Sequence, residues 1–315
     1  MENTTMENTR TKTTRNSLIL LLTAAIWGMA FVSQSKGMDY MHPFTFNGVR
    51  SLIGAASILV YILISRKIAG DKAAPLDWKL NVKAGLLCGI FLTIASTLQQ
   101  FGIKYTSVGK AGFITTLYII FVPMFGIFLK KKVAPVVWAA AVMAAVGMYL
   151  LCMTESLRLG AGDIMVFLCA IAFAIQIMTV DHYAARIDGA VVSCIQFTVC
   201  GVVCCIGALI WGQPTFGQLQ EGLGALLYAG VLSCGVGYTL QIVGQKGLNP
   251  TVAALIMSLE SVIATISGWI AYKIGFLTTD QTLTGRQIAG CVIVFAAVIL
   301  VQLPPEWFRF GKKNA

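Results

Sequence analysis

Charge is scarce in this sequence: Asp, Glu, Lys and Arg together make up 11% of 315 residues, against roughly a quarter in an ordinary soluble domain. That shortage excludes a water-surrounded globular fold, and a mean hydropathy of +0.80 agrees. Histidine is scarcer still, with His42 and His182 only, both at the ends of apolar runs. There is no HExxH, no GxSxG elbow and no pair of aspartates deep in an apolar run. The common hydrolytic chemistries therefore have no residues to use, and an enzyme is not expected. No GxxxxGK[ST] occurs, and the short loops leave no room for a nucleotide-binding domain. The nine cysteines are scattered through apolar runs, and CGVVCC (200–205) lacks the paired CxxC spacing and nearby histidines of a zinc site. They read as small apolar packing residues, so neither a disulfide, a metal nor any other cofactor is expected.

What fills the chain instead is long apolar stretches. A spanning helix needs about 20 mostly apolar residues. Ten runs qualify: 17–35, 45–64, 81–103, 108–129, 134–153, 162–181, 190–211, 222–245, 250–272 and 285–303. The fold class this predicts is an all-α polytopic membrane protein with ten transmembrane helices. The first run follows a polar leader and lacks a clean small-residue cleavage site, so it reads as a span and not as a signal peptide.

The formal net charge of +10 raises the question of a nucleic-acid partner. The placement of the charges answers it. With the amino terminus inside, the outer side holds seven of the 23 basic residues: Lys36, Arg50, Lys104, Lys110, Arg158, Lys273 and Arg286. The remaining sixteen fall inside, as the positive-inside rule requires. The expectation is a multi-pass protein of the cell membrane with both termini cytoplasmic and no nucleic-acid partner.

The chain also repeats itself. Shifted by 142 residues, LQQFGIKYTSVGKAGFITTLYIIFVP (98–123) falls without a gap on LQIVGQKGLNPTVAALIMSLESVIAT (240–265). Seven of the 26 positions are identical, among them Gln99/Gln241, Gly102/Gly244 and Lys104/Lys246. Ser107 and Asn249 both occupy N-cap-like positions. Two copies of five spans follow, 1–153 with its cytoplasmic leader and 162–303, with 304–315 as a cytoplasmic tail. Because five is odd, the second copy enters the membrane upside down. Inverted repeats mark transporters that bind substrate near the bilayer midplane, where the repeats meet.

At this point the sequence resembles the EamA-type members of the drug/metabolite transporter superfamily. The residues that carry the resemblance are AAIWGMAF in span one, NGVRSLIGA in span two, AGFITTLYIIFVPMFGIFL in span four, and SLESVIATISGWIAY followed by TLTGRQIAGCVIVFAAVIL in spans nine and ten. The resemblance covers nearly the whole chain. It implies a ten-helix carrier with a central cavity and alternating access, but not a particular solute, because the family includes carriers of amino acids, other metabolites and, more distantly, sugar nucleotides.

Polar groups in lipid-spanning helices usually face the bundle interior or a water-filled cavity. Glu260 lies about ten residues from each end of its span. It reads as a proton-coupling or amine-binding group, or else as a structural carboxylate paired with Arg50 or bonded to a neighbouring helix. The repeat sets Tyr118 opposite Glu260, near the pseudo-two-fold axis. Arg50, about one and a half turns into span two, either binds a substrate anion or snorkels to the interface. Lys110 sits in the first turn of span four, where the helix dipole disfavours a cation. It therefore calls for a compensating anion, from substrate or an interfacial phosphate. Tyr238, Gln241 and Gln245 share one helical face at i, i+3 and i+7. Gln99 repeats part of it, with Ser96, in span three. Trp27, Phe31 and Gln34 form a similar face in span one, and Gln176 stands alone in span six. These faces line a cavity or make interhelical hydrogen bonds. Pro123 is expected to kink span four.

The function these residues predict is secondary transport of a small organic solute, most naturally the export of amino acids or related metabolites, with protons as a candidate coupling ion. Sugar or nucleotide-sugar derivatives remain as alternative cargo, and a non-transporting membrane protein as an alternative class. A channel would show a carbonyl filter or rings of charge, and neither is visible. The expected partners are the solute and the bilayer; monomer and homodimer are both open.

Overall fold

In the computed structural model the described residues are 2–70, 75–130, 133–152, 160–278 and 282–302. The predicted tail 304–315, most of the linker between the halves, and Lys72, Lys131, Lys132, Arg158, Arg309, Lys312 and Lys313 of the charge argument lie outside them. The described chain is helical: α1 (Glu2–Gly37), α2 (Pro43–Ala69), α3 (Trp78–Ile103), α4 (Val108–Thr116), α5 (Tyr118–Phe128), α6 (Pro135–Cys152), α7 (Ala161–Tyr183) and α8 (Gly189–Gly207). After a π-helical turn at Ala208–Gly212 come α9 (Phe216–Glu221) and α10 (Leu223–Leu227). A π-helical stretch, Tyr228–Gly237, then leads into α11 (Tyr238–Gln245), α12 (Pro250–Met257), α13 (Leu259–Lys273) and α14 (Gly285–Gln302).

Among the described residues, eight helical segments are long and apolar enough to cross a membrane. The two other predicted spans, 134–153 and 285–303, form α6 and α14, whose described apolar stretches, Pro135–Leu150 and Gly285–Leu300, are shorter. These two pack on each other. The large apolar side chains left exposed, such as Leu63, Ile90, Val142 and Val292, are those expected of helices whose outer surface is solvated by lipid tails.

Helix starts follow local chemistry. Ser107 accepts from the Lys110 amide, and Asp188 from those of Ala190 and Val191. Asn249 accepts from the Thr251 amide, with Pro250 at the first helical position. Each cap satisfies amides that have no intrahelical partner and that lipid could not hydrate.

Two spans are interrupted at matching places. The fourth breaks at Leu117, between α4 and α5, and the ninth at Ser258, between α12 and α13. At each break a hydroxyl bonds back to the carbonyl three residues earlier: Thr116 to Phe113 at 2.9 Å and Ser258 to Leu255 at 2.7 Å. Such back-bonds compete with the helical ladder and bend helices. The interruption in span four lies six residues before Pro123, which sits inside α5.

Helices of the first half pack on helices of the second: α2 on α8, α3 on α7, and α1 on α13. Glycine permits the closest approaches. A Cβ at Gly28 would collide with Ile263 and with the carbonyl oxygen of Glu260, so this glycine brings α1 against the turn that carries the acid. Gly102 meets Gly162 and Val166 of α7 in the same way, and Gly244 meets Asn16 and Leu20 of α1.

Candidate functional site

A small cavity lies at the centre of the bundle, closed in by side chains from both halves of the chain. Eleven of the residues singled out from the sequence line it: Trp27, Phe31, Gln34, Arg50, Ser96, Gln99, Tyr118, Gln176, Tyr238, Gln241 and Glu260. Lys110 and Gln245 do not. The cavity volume is about 40 Å³, enough for a few water molecules and well short of the 300 Å³ or more typical of ligand sites. In this structure the cavity is thus too small for an organic solute.

Two helix breaks shape its most polar corner. Tyr118 is the first residue of α5 and Glu260 the second of α13. The Tyr118 hydroxyl donates to Glu260 Oε1 at 3.0 Å. Both side chains are buried, and among the described residues this is the one hydrogen bond the carboxylate receives from a side chain. The 142-residue offset in the sequence has become a contact across the middle of the protein.

Arg50 forms the second pole. It is 5% exposed, so it does not snorkel to an interface. Its Nε donates to Asn47 Oδ1 at 3.0 Å, and its guanidinium lies 5.5 Å from the Phe46 ring centroid. Asn47 is held in turn by Ser96 Oγ at 3.1 Å and by Cys204 Sγ at 3.2 Å. The ion pairs among the described residues are Lys36–Asp39 and Lys110–Asp163. Arg50 and Glu260 line one cavity without pairing, and neither has another ionic partner there. A buried charge without a counterion is costly.

Amides and aromatics complete the wall. Gln176 and Gln241 bond reciprocally, at 3.5 and 3.2 Å. Gln99 Nε2 donates to Thr115 Oγ1 at 3.2 Å. Gln34 receives only a bond to its backbone carbonyl, from Gln100, and its own Oε1 is buried without a partner. Trp27 and Tyr238 pack with ring centroids 4.5 Å apart, Phe197 meets Tyr238 edge-on at 4.9 Å, and Trp27 Nε1 donates to the Ser233 carbonyl. The π-helical stretch before α11 supplies that carbonyl and places Ser233 and Cys234 in the wall.

The structure redirects two sequence-based expectations. Lys110 finds its anion within the protein: Nζ donates to Asp163 Oδ2 at 2.6 Å, and Asp163 also accepts from Thr106 Oγ1 and the Gly160 amide. This pair ties the start of α4 to the start of α7, away from the cavity. Gln245, on the same face as Gln241, instead donates to the Ile177 carbonyl of α7. Asn47, Thr115, Phe173, Phe197 and Ser233 belong to the cavity and were not anticipated; short polar and aromatic side chains in apolar helices carry no signal that separates lining from packing.

The comparisons with known proteins agree with this architecture. The EamA-like transporter family matches the chain twice, over residues 15–153 and 160–303. An uncharacterised transporter of Archaeoglobus fulgidus is 27% identical over 290 residues, covering 90% of this chain and 84% of its own. The uncharacterised transporter YwfM of Bacillus subtilis is 26% identical over 287 residues, covering 89% and 94%. A protein crystal structure with 16% identity superposes with a TM-score of 0.72, over 94% of this chain and 99% of that one; at that identity the likeness concerns the fold alone.

Proposed function

The chain belongs to the EamA-like transporter family, and on that premise we propose that it is a proton-coupled secondary carrier exporting a small amphipathic solute of the amino-acid class. It spans the cell membrane ten times, with α6 and α14 as its fifth and tenth spans and both termini in the cytoplasm. Residues 1–153 and 162–303 are two inverted five-helix repeats that rock against each other about the central cavity. The matching helix breaks at Leu117 and Ser258 and the matching close approaches at Gly102 and Gly244 support this reading.

The observation that carries the proposal is a basic and an acidic group in one cavity, neither with an ionic partner among the described residues. Arg50, fixed through Nε by Asn47, leaves its terminal amino groups free to take a substrate carboxylate in the bidentate manner guanidinium favours. Glu260 takes a proton when empty and releases it as a substrate ammonium binds, with Tyr118 donating to the carboxylate that remains. Between them, Trp27, Phe31, Phe173 and Phe197 offer an apolar wall. One cation suits a monocarboxylate, whereas a phosphorylated or nucleotide-linked cargo would require several.

Counterflow into proteoliposomes across a panel of amino acids, sugars and nucleotide sugars, with and without an imposed pH gradient, tests the proposal. Accumulation confined to amino acids and enhanced by the gradient is the expected result. Accumulation of a sugar nucleotide, or silence across the panel in a correctly folded sample, overturns the cargo class.

A further inference from the structure

A second concavity opens sideways toward lipid, between α4–α5 and α6, with a volume of about 440 Å³. Nine residues line it, among them Phe113, Leu117, Trp138, Val142, Ala145 and Tyr149, and none is ionisable except the Tyr149 phenol. Val142 and Val146 are more than half exposed, so the groove faces the bilayer. A polar solute would find only the Trp138 indole and the Tyr149 phenol to bond there. Its long axis follows α6 from Trp138 to Tyr149, roughly 16 Å at about 1.5 Å per residue, which matches one leaflet of a hydrocarbon core about 30 Å thick.

One end carries charge. The Arg286 guanidinium, in the first turn of α14, lies 5.2 Å from the Tyr149 ring centroid. Both sit at the membrane face where α6 ends and α14 begins. Arg286 is exposed and has no carboxylate partner among the described residues. We propose that this groove is a phospholipid site, in which one acyl chain lies along α6 and the headgroup phosphate is held by Arg286. A second copy of the chain fits less well, since nine lining residues fall short of the 20–30 per side of a stable interface.

The bilayer sets the energetics. Lipid tails are as apolar as the groove, so moving a chain from one to the other yields little hydrophobic gain. Retention therefore depends on shape and on the phosphate contact. The site also borders the working part of the carrier: Leu117, at the break between α4 and α5, lines the groove, and the next residue, Tyr118, lines the central cavity. A bound lipid braces the turn that aims the Tyr118 hydroxyl at Glu260.

Native mass spectrometry of the full-length protein tests this after release from nanodiscs of phosphatidylglycerol, phosphatidylethanolamine or either doped with diacylglycerol. The wild type is expected to retain one phospholipid per chain and no diacylglycerol. R286Q is expected to lower retention about tenfold, the effect of one charge-assisted hydrogen bond. A145F fills the groove and lowers it to a similar degree. V292F, on the outer face of α14, is expected to leave retention unchanged and controls for a bulky insertion. Equal retention by wild type, R286Q and A145F overturns the proposal, as does retention of diacylglycerol on a par with phospholipid. A shift of A145F from dimer to monomer at constant lipid content also overturns it and assigns the groove to a second copy. Either phospholipid headgroup alone supports it and names the source.

Discussion

Gln176 and Gln241 exchange two hydrogen bonds across the cavity, from α7 to α11, while Gln34 and Gln99, each 142 residues earlier, exchange none. Gln99 turns to Thr115 instead, and the Gln34 Oε1 is left buried and unpaired. On the proposed inverted repeat, these are equivalent residues held in unequal states. Alternating access between inverted repeats exchanges the conformations of the halves. The opposite state should then close Gln34 onto Gln99 and open Gln176 from Gln241. In a cysteine-free background, the pair Gln176→Cys/Gln241→Cys is expected to cross-link in the substrate-free protein, and Gln34→Cys/Gln99→Cys only during turnover. Simultaneous cross-linking of both pairs in one state would refute the exchange. Each glutamine bridge is worth about 1 kcal/mol in a membrane, roughly a fivefold shift in population.

Arg50 should govern affinity for the anionic end of the cargo. R50Q removes the charge, and KM for counterflow is expected to rise about tenfold or more. R50K keeps the charge but loses the fork and the Asn47 bond, so an intermediate value is expected. Equal KM in all three proteins would show that Arg50 does not touch substrate.

The Lys110–Asp163 pair is expected to act on stability rather than on cargo affinity. K110M strands a carboxylate that is 4% exposed and should cost about 2 kcal/mol, below the 3–5 kcal/mol of a fully buried pair because Lys110 is partly exposed. K110M/D163N should recover most of that loss in thermal unfolding. If K110M alone changes KM with no change in Tm, Lys110 contacts substrate after all.

His42 provides a pH-dependent cap. Its Nδ1 accepts from the Phe44 amide at the start of α2, a role open only to the neutral ring. Burial, and secondarily the charge of Lys104, hold its pKa below the usual value of 6.5. The unfolded chain then binds the proton first, so the stability this cap adds is present above pH 6.5 and declines as the pH falls below it. H42N keeps a capping oxygen and cannot titrate. The gap in Tm between wild type and H42N should therefore widen in favour of H42N from pH 7.5 to pH 5.5; a constant gap would contradict the capping role.

Much of this organisation is legible in the sequence because the bilayer imposes few solutions. Lipid-length apolar runs fix the helices, and the 142-residue offset by itself sets Tyr118 opposite Glu260. The rest depended on partners distant in the chain. Lys110 asked for an anion, but Asp163, with its side chain bonded to the Gly160 amide, reads in sequence only as a helix-start acid. Hydropathy cannot register the breaks at Leu117 and Ser258, because the back-bonding hydroxyls of Thr116 and Ser258 look like any others in an apolar run. The face of Tyr238, Gln241 and Gln245 was sound as helical spacing, yet the cavity ends before Gln245 does. No sequence pattern encodes where a cavity stops.

Glu260 as a reversible charge in the cavity is the centre of the proposed proton coupling. The decisive measurement is uptake and counterflow by wild type and E260Q in the same proteoliposomes, with and without a pH gradient. The predicted result is gradient-stimulated transport by the wild type, and an E260Q protein that ignores the gradient. Stimulation of equal size in both would contradict proton coupling through Glu260.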